Sequence, residues 1–178
     1  MIKNYIKLEG GKIYLHENFV NIINDVEKLV FDCDGVLINT KNSYRKTIRQ
    51  TLSLFFRPFF QKDVIRYKEI EKLKFTGIYN NDWDSTYTLA LFLFTMLSKE
   101  QAKNYIKWIK GHTLNSKFKL CKSNFNIEFE TFLNSIKNDP INDPEEYAIK
   151  ACQDKGTFNE LKEFIEIIGR PNNVRESL

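Results

Sequence analysis

From Ser43 onward, for about a hundred residues, apolar side chains recur at helical spacing, and this one feature leaves few folds open. Tyr44, Ile48, Leu52 and Phe55 form a first stripe. A second helix is expected from about residue 63 to 74, ending near Gly77, and a strongly apolar one from Asp84, as its cap, through Leu97. Ser98-Lys-Glu-Gln101 has the capping-box pattern, followed by Ala102, Tyr105, Ile106 and Ile109 as a buried face and Gly111 as the stop. Phe125, Phe129, Phe132, Leu133 and Ile136 mark the next helix. Asp143-Pro144-Glu145-Glu146 opens another, with proline at the first position and carboxylates near the positive end of the dipole. Thr157-x-x-Glu160 starts a short one.

The flanks read differently. Residues 5–8 and 12–15 surround Glu9-Gly10-Gly11 as a short hairpin, and Phe19, Ile22, Ile23 and Val26 give a short amphipathic helix. Leu29-Val30-Phe31 reads as a buried strand with Asp32 at its carboxyl end. Near the other end, the β-branched run Phe164-Ile-Glu-Ile-Ile168 reads as a second strand, with Gly169-Arg170-Pro171 as a turn. Strand, helical block, strand is the order of an α/β core interrupted by an all-helical insertion. The expected domains are therefore a partial core from residues 1–39 and 155–178, and a helical insertion over 40–154.

Composition narrows the function. Of 178 residues, 42% are apolar, which suits a globular core, and 27 Lys+Arg against 23 Asp+Glu leave a charge of only +4. No basic patch interleaved with stacking aromatics occurs, so nucleic-acid binding is not expected. Cys33, Cys121 and Cys152 lie far apart, are odd in number and form no CxxC pair, which suits a reducing cytoplasm rather than a disulfide framework. The run from Leu89 to Leu97 is too short to span a bilayer. His16 and His112 have no partner spacing that suggests a metal. Cys33, between two aspartates, is read as a small buried hydrophobe.

Chemistry is concentrated at Leu29-Val-Phe-Asp32-Cys-Asp34-Gly35-Val-Leu37. An aspartate at a strand end can attack phosphorus and form an aspartyl-phosphate. A second carboxyl two residues on can protonate the leaving oxygen and then activate water. Hard oxygen donors suit Mg²⁺, which offsets repulsion between carboxylate and phosphate. Gly35 lets the backbone turn so that its N–H groups face the phosphate. The same residues also read as an ordinary Asp-x-Asp-Gly turn after a strand.

Phe31-Asp-Cys-Asp-Gly-Val-Leu37 resembles motif I of the haloacid dehalogenase (HAD)-like superfamily. The resemblance implies Asp32 as nucleophile, Asp34 as general acid/base, both at the Mg²⁺ site, and phosphatase rather than dehalogenase chemistry. It also implies an α/β Rossmann-like core, and the helical insertion after motif I resembles the C1 cap that selects the substrate. Ser43-Tyr-Arg45 and Asn80-Asn81-Asp82-Trp83-Asp84 are similar to segments of an uncharacterised branch of that superfamily. Arg45 is then an anion contact or a solvated helix residue. Asn81, Asp82 and Trp83 are a substrate-facing loop, or an Asx-rich turn with Asp84 as N-cap and Trp83 packed in the cap. Residues 165–171 are similar to motif II, which places Gly169 at a phosphate, although Ile168 stands where the family has a phosphate-binding hydroxyl and cannot donate that bond.

The family's basic motif III and acidic motif IV follow motif II, and only seven residues follow Pro171. Asp139-x₃-Asp143 imitates the spacing of motif IV, but it follows a helical stripe, and Asp143 reads as a cap. The chain is therefore expected to be truncated after motif II, with strand edges that favour a homo-oligomer or a second chain completing the core. Two functions follow. One is a cytoplasmic Mg²⁺-dependent phosphatase of small phosphorylated metabolites. The other is an inactive HAD-like remnant kept as a binding or assembly module.

Overall fold

The computed structural model describes residues 5–7, 14–16, 26–28, 30, 37, 43–59, 64–79, 81–112, 124–138 and 143–170. The chain divides into two compact units, residues 1–39 and 40–178. In the first, β1 (Tyr5–Lys7) and β2 (Tyr14–His16) pair antiparallel with Ile6 opposite Leu15, which is the expected hairpin. Val30, expected inside a buried strand, lies in no regular element and is 97% exposed. The amphipathic helix expected over 19–26 falls outside the described residues except at Val26, which is irregular.

The second unit is helical throughout its described residues: α1 (Tyr44–Phe55), α2 (Tyr67–Lys74), α3 (Asp82–Thr95), α4 (Lys99–Ile109), α5 (Phe125–Asn138), α6 (Pro144–Lys155) and α7 (Phe158–Ile168). The sequence reasons for the boundaries are local. Ser98 Oγ accepts from Gln101 N–H (3.3 Å) and Gln101 Oε1 accepts from Ser98 N–H (2.9 Å), so the capping box forms. At the other end of α4, Gly111 adopts φ +91°, and the His112 and Gly111 N–H groups bond the Lys107 and Trp108 carbonyls, a Schellman closure. Asp143 caps α6 by accepting from Glu145 N–H (2.8 Å), with Pro144 at the first position.

Two readings are corrected. Asn81, not Asp84, caps α3: its side-chain oxygen accepts from Trp83 N–H (2.9 Å), and Asp84 lies inside the first turn. Residues 164–168 are not a strand but the last turns of α7. Leu161, Phe164, Ile165 and Ile168 recur at i, i+3, i+4, i+7 and turn toward the core, while Glu160, Glu163 and Glu166 take other faces. A stripe of that length outweighs a five-residue β-branched run, whose Ile167 is left partly exposed. No parallel strand pairing exists among the described residues; this part of the chain is a helical bundle, as an all-helical cap is.

At the centre lies α3, whose residues from Tyr87 to Thr95 are all buried, so it is apolar around its whole girth. Beside it α6 runs parallel: Tyr87 meets Glu145 near the two N-termini, and Lys155 Nζ donates to the Thr95 carbonyl (2.6 Å) at the C-terminal ends. Returning along α6, α7 brings Gly169 and Arg170 back to the α6 N-terminus. Aromatic rings fill the space between helices. Phe94 stacks on Phe164 (4.7 Å between centroids) and Tyr105 on Phe56 (5.0 Å), while Phe92 meets Phe125, Phe129 and Phe132 at 5.0–5.6 Å. Such pairs add roughly 0.5–1.5 kcal/mol each beyond their area.

Candidate functional site

Asp32, Asp34 and Gly35 lie outside the described residues. The remaining candidates sit at helix ends of the second unit. Arg45, in the first turn of α1, forms an ion pair through Nη1 with Glu71 of α2. Asp82, the first residue of α3, pairs with Lys74, also of α2. Glu71 and Lys74 are three residues apart and therefore share a helix face. Thus α2 clasps the N-terminal ends of both α1 and α3, and the charges of Arg45 and Asp82 are spent in that clasp.

The loop between α2 and α3 is internally bonded. Thr76 Oγ1 donates to the Leu73 carbonyl (2.7 Å) and Ser85 Oγ to the Tyr79 carbonyl (2.7 Å), with Asn81 as the cap of α3. On this fixed frame Trp83 is 79% exposed, so it does not pack within the helical unit. Asn81, Asp82 and Trp83 are thus together at the start of α3, whereas Gly169 lies at the end of α7. Gly169 ends α7 with φ +71° and ψ 150°, a conformation nearly restricted to glycine, and its N–H bonds the Ile165 carbonyl (3.0 Å).

Immediately after Gly169 lies a part-buried polar cluster that the sequence did not reveal. Arg170 Nε donates to both Glu145 oxygens (2.8 and 3.0 Å), and Nη2 donates to Oε2 (2.9 Å). Tyr87 donates its hydroxyl to Glu145 Oε1. The Glu145 side chain is only 6% exposed, so its charge depends on these donors. Burial, then the Glu145 hydrogen bond and charge, push the Tyr87 phenol well above its ordinary value. The Glu145 hydrogen bond and charge likewise hold the Arg170 guanidinium above its own. A phenol held protonated in this way is a hydrogen-bond donor and not a base or nucleophile at neutral pH.

A usable signal for the cluster did exist. Glu145, Ala148 and Cys152 share the buried stripe of α6, and a carboxylate on an apolar stripe requires a cation. Which cation meets it is decided by the return of α7, and that is not readable from local pattern. Among the described residues, no group of three or more His, Cys, Asp or Glu is arranged to hold a metal ion, and no helix is long and apolar enough to cross a membrane. Comparison with protein-family models, with curated proteins and with solved structures finds no match to this chain.

Proposed function

We propose that this chain is the cap-bearing part of a HAD-like, aspartate-nucleophile phosphohydrolase acting on small phosphorylated metabolites in the cytoplasm. One observation carries the reading: a self-contained helical unit begins at Thr40, three residues after the acidic motif ends at Leu37. A helical body that follows directly on an Asp-x-Asp-Gly motif is the chain order in which a HAD-like protein carries its substrate-selecting cap.

In this reading the Asp32 carboxylate attacks phosphorus and the leaving oxygen departs with a proton from Asp34. Asp34 then takes a proton from the water that cleaves the acyl phosphate. The Asp32 carboxylate and the Asp34 backbone carbonyl would offer hard oxygen donors of the kind Mg²⁺ prefers, and the ion would supply charge neutralisation at the phosphoryl oxygens. Gly35 lets backbone N–H groups turn toward the phosphate, while the Gly169 N–H is bonded to the Ile165 carbonyl, and Trp83 is an exposed side chain that the helical unit offers to a ligand. This chemistry also needs a basic residue beside the phosphoryl group and further acids at the ion.

A second reading, a binding or assembly module without turnover, is favoured by α7. Its helical end replaces the strand on which a phosphate-binding hydroxyl would sit, and Arg170 is committed to Glu145. Hydrolysis of an aryl phosphate with Mg²⁺ separates the two. The phosphatase reading expects Asp32→Asn to lower the rate at least about 100-fold, the scale of losing a nucleophile or acid–base group. Equal rates in native and Asp32→Asn protein remove it and leave the second reading.

A further inference from the structure

Glu145 is a carboxylate buried in the first turn of α6, with both oxygens aimed at one guanidinium. Tyr87 fixes its orientation from α3. The guanidinium comes from outside the helices, on the first residue beyond the glycine that ends α7. Glu145 and Tyr87 are both more than nine-tenths buried, while the Arg170 side chain is 39% exposed. The receptor is thus built into the bundle and the ligand approaches it from the surface. We infer that Glu145 and Tyr87 form a guanidinium receptor, filled in cis by Arg170, which latches the end of α7 onto α3 and α6.

The chemistry favours a planar fork over any other cation. Three N–H···O contacts at 2.8–3.0 Å from Nε and Nη2 onto two carboxylate oxygens are the side-on geometry that only a guanidinium provides. An ammonium supplies a point charge and leaves one oxygen underbonded. Gly169 makes the approach possible, because its φ of +71° with ψ 150° directs the chain back toward α6. The latch does not depend on the phosphatase reading: it concerns groups of the helical unit alone.

Chemical rescue tests it on the full chain. Arg170→Ala empties the receptor and is expected to lower the melting temperature by about 5 °C or more, since a buried carboxylate loses its partner. Methylguanidinium at millimolar concentration should restore at least half of that loss, while methylammonium at the same concentration and ionic strength should not. Arg170→Lys keeps a charge without the fork, and is expected to melt between native and Arg170→Ala and to gain little from methylguanidinium. In the double variant Arg170→Ala/Glu145→Gln, rescue should disappear. Equal rescue by the two cations, or rescue that persists with Gln at 145, overturns the receptor. If Arg170→Ala does not fold, Arg170→Lys melting like the native protein overturns it instead.

Discussion

Tyr105 places its ring between Phe56, Phe59, Phe94 and Phe164, yet its hydroxyl meets no hydrogen-bond partner among the described residues. An unpaired buried hydroxyl costs roughly 1–3 kcal/mol, whereas the ring alone contributes the packing. Tyr105→Phe is therefore expected to stabilise the protein by about 1 kcal/mol at pH 7, a rise of about 2–4 °C in melting temperature. Alkaline pH should sharpen the difference. Burial raises the Tyr105, Tyr87 and Tyr147 phenols and the Cys152 thiol above their ordinary values. Their stabilising contribution is complete below the unfolded-chain values, about 8.5 for the thiol and 10 for the phenols. Above these the unfolded state releases protons that the folded state retains, so stability falls from about pH 8.5 and more steeply past 10. Tyr105→Phe should flatten the decline by about 1.4 kcal/mol per pH unit above pH 10 in urea titrations. A parallel decline in both proteins would mean that this phenol reaches water.

Helix starts and stops were the most legible part of this sequence, and the reason is that capping chemistry is local. Ser98 and Gln101 satisfy orphan N–H groups three residues apart, and nothing distant is needed to write that bond. Ser98→Ala should thus cost about 1 kcal/mol in thermal unfolding and Ser98→Gly only a few tenths. Equal losses would point to a role for the hydroxyl other than capping. The Asp84 misreading has the same local origin, since Asn81 offers a competing oxygen three residues earlier. Where the sequence misled, two periodicities overlapped in one segment. Ile165, Ile167 and Ile168 satisfy a strand's composition, but only a helix turns Leu161, Phe164 and Ile165 together onto α4 and α6. Tertiary burial decided the element. The partners in the polar cluster were illegible for a related reason: Tyr87, Glu145 and Arg170 come from three segments whose meeting depends on the whole path of α6 and α7.

At the scale of the molecule, the buried apolar core among the described residues runs from Ile48 to Ile165. Its largest side chains, Phe56, Phe59, Phe92, Phe94, Tyr105, Phe129, Phe132 and Phe164, come from four helices and the turn after α1. A compact unit with a core of its own can carry its own cooperative transition. A fragment of residues 40–178 is therefore expected to keep the helical circular dichroism of the full chain and to melt as one transition within a few degrees of it. An unfolded fragment would show that the first 39 residues supply part of this core. The fragment also lacks Asp32 and Asp34, so any aryl phosphate hydrolysis of the full chain should vanish from it while the fold persists. Loss of activity together with loss of structure would carry no information about the motif. Loss of activity in a fragment that melts like its parent would place the chemistry in the first unit and assign the helices the work of a cover.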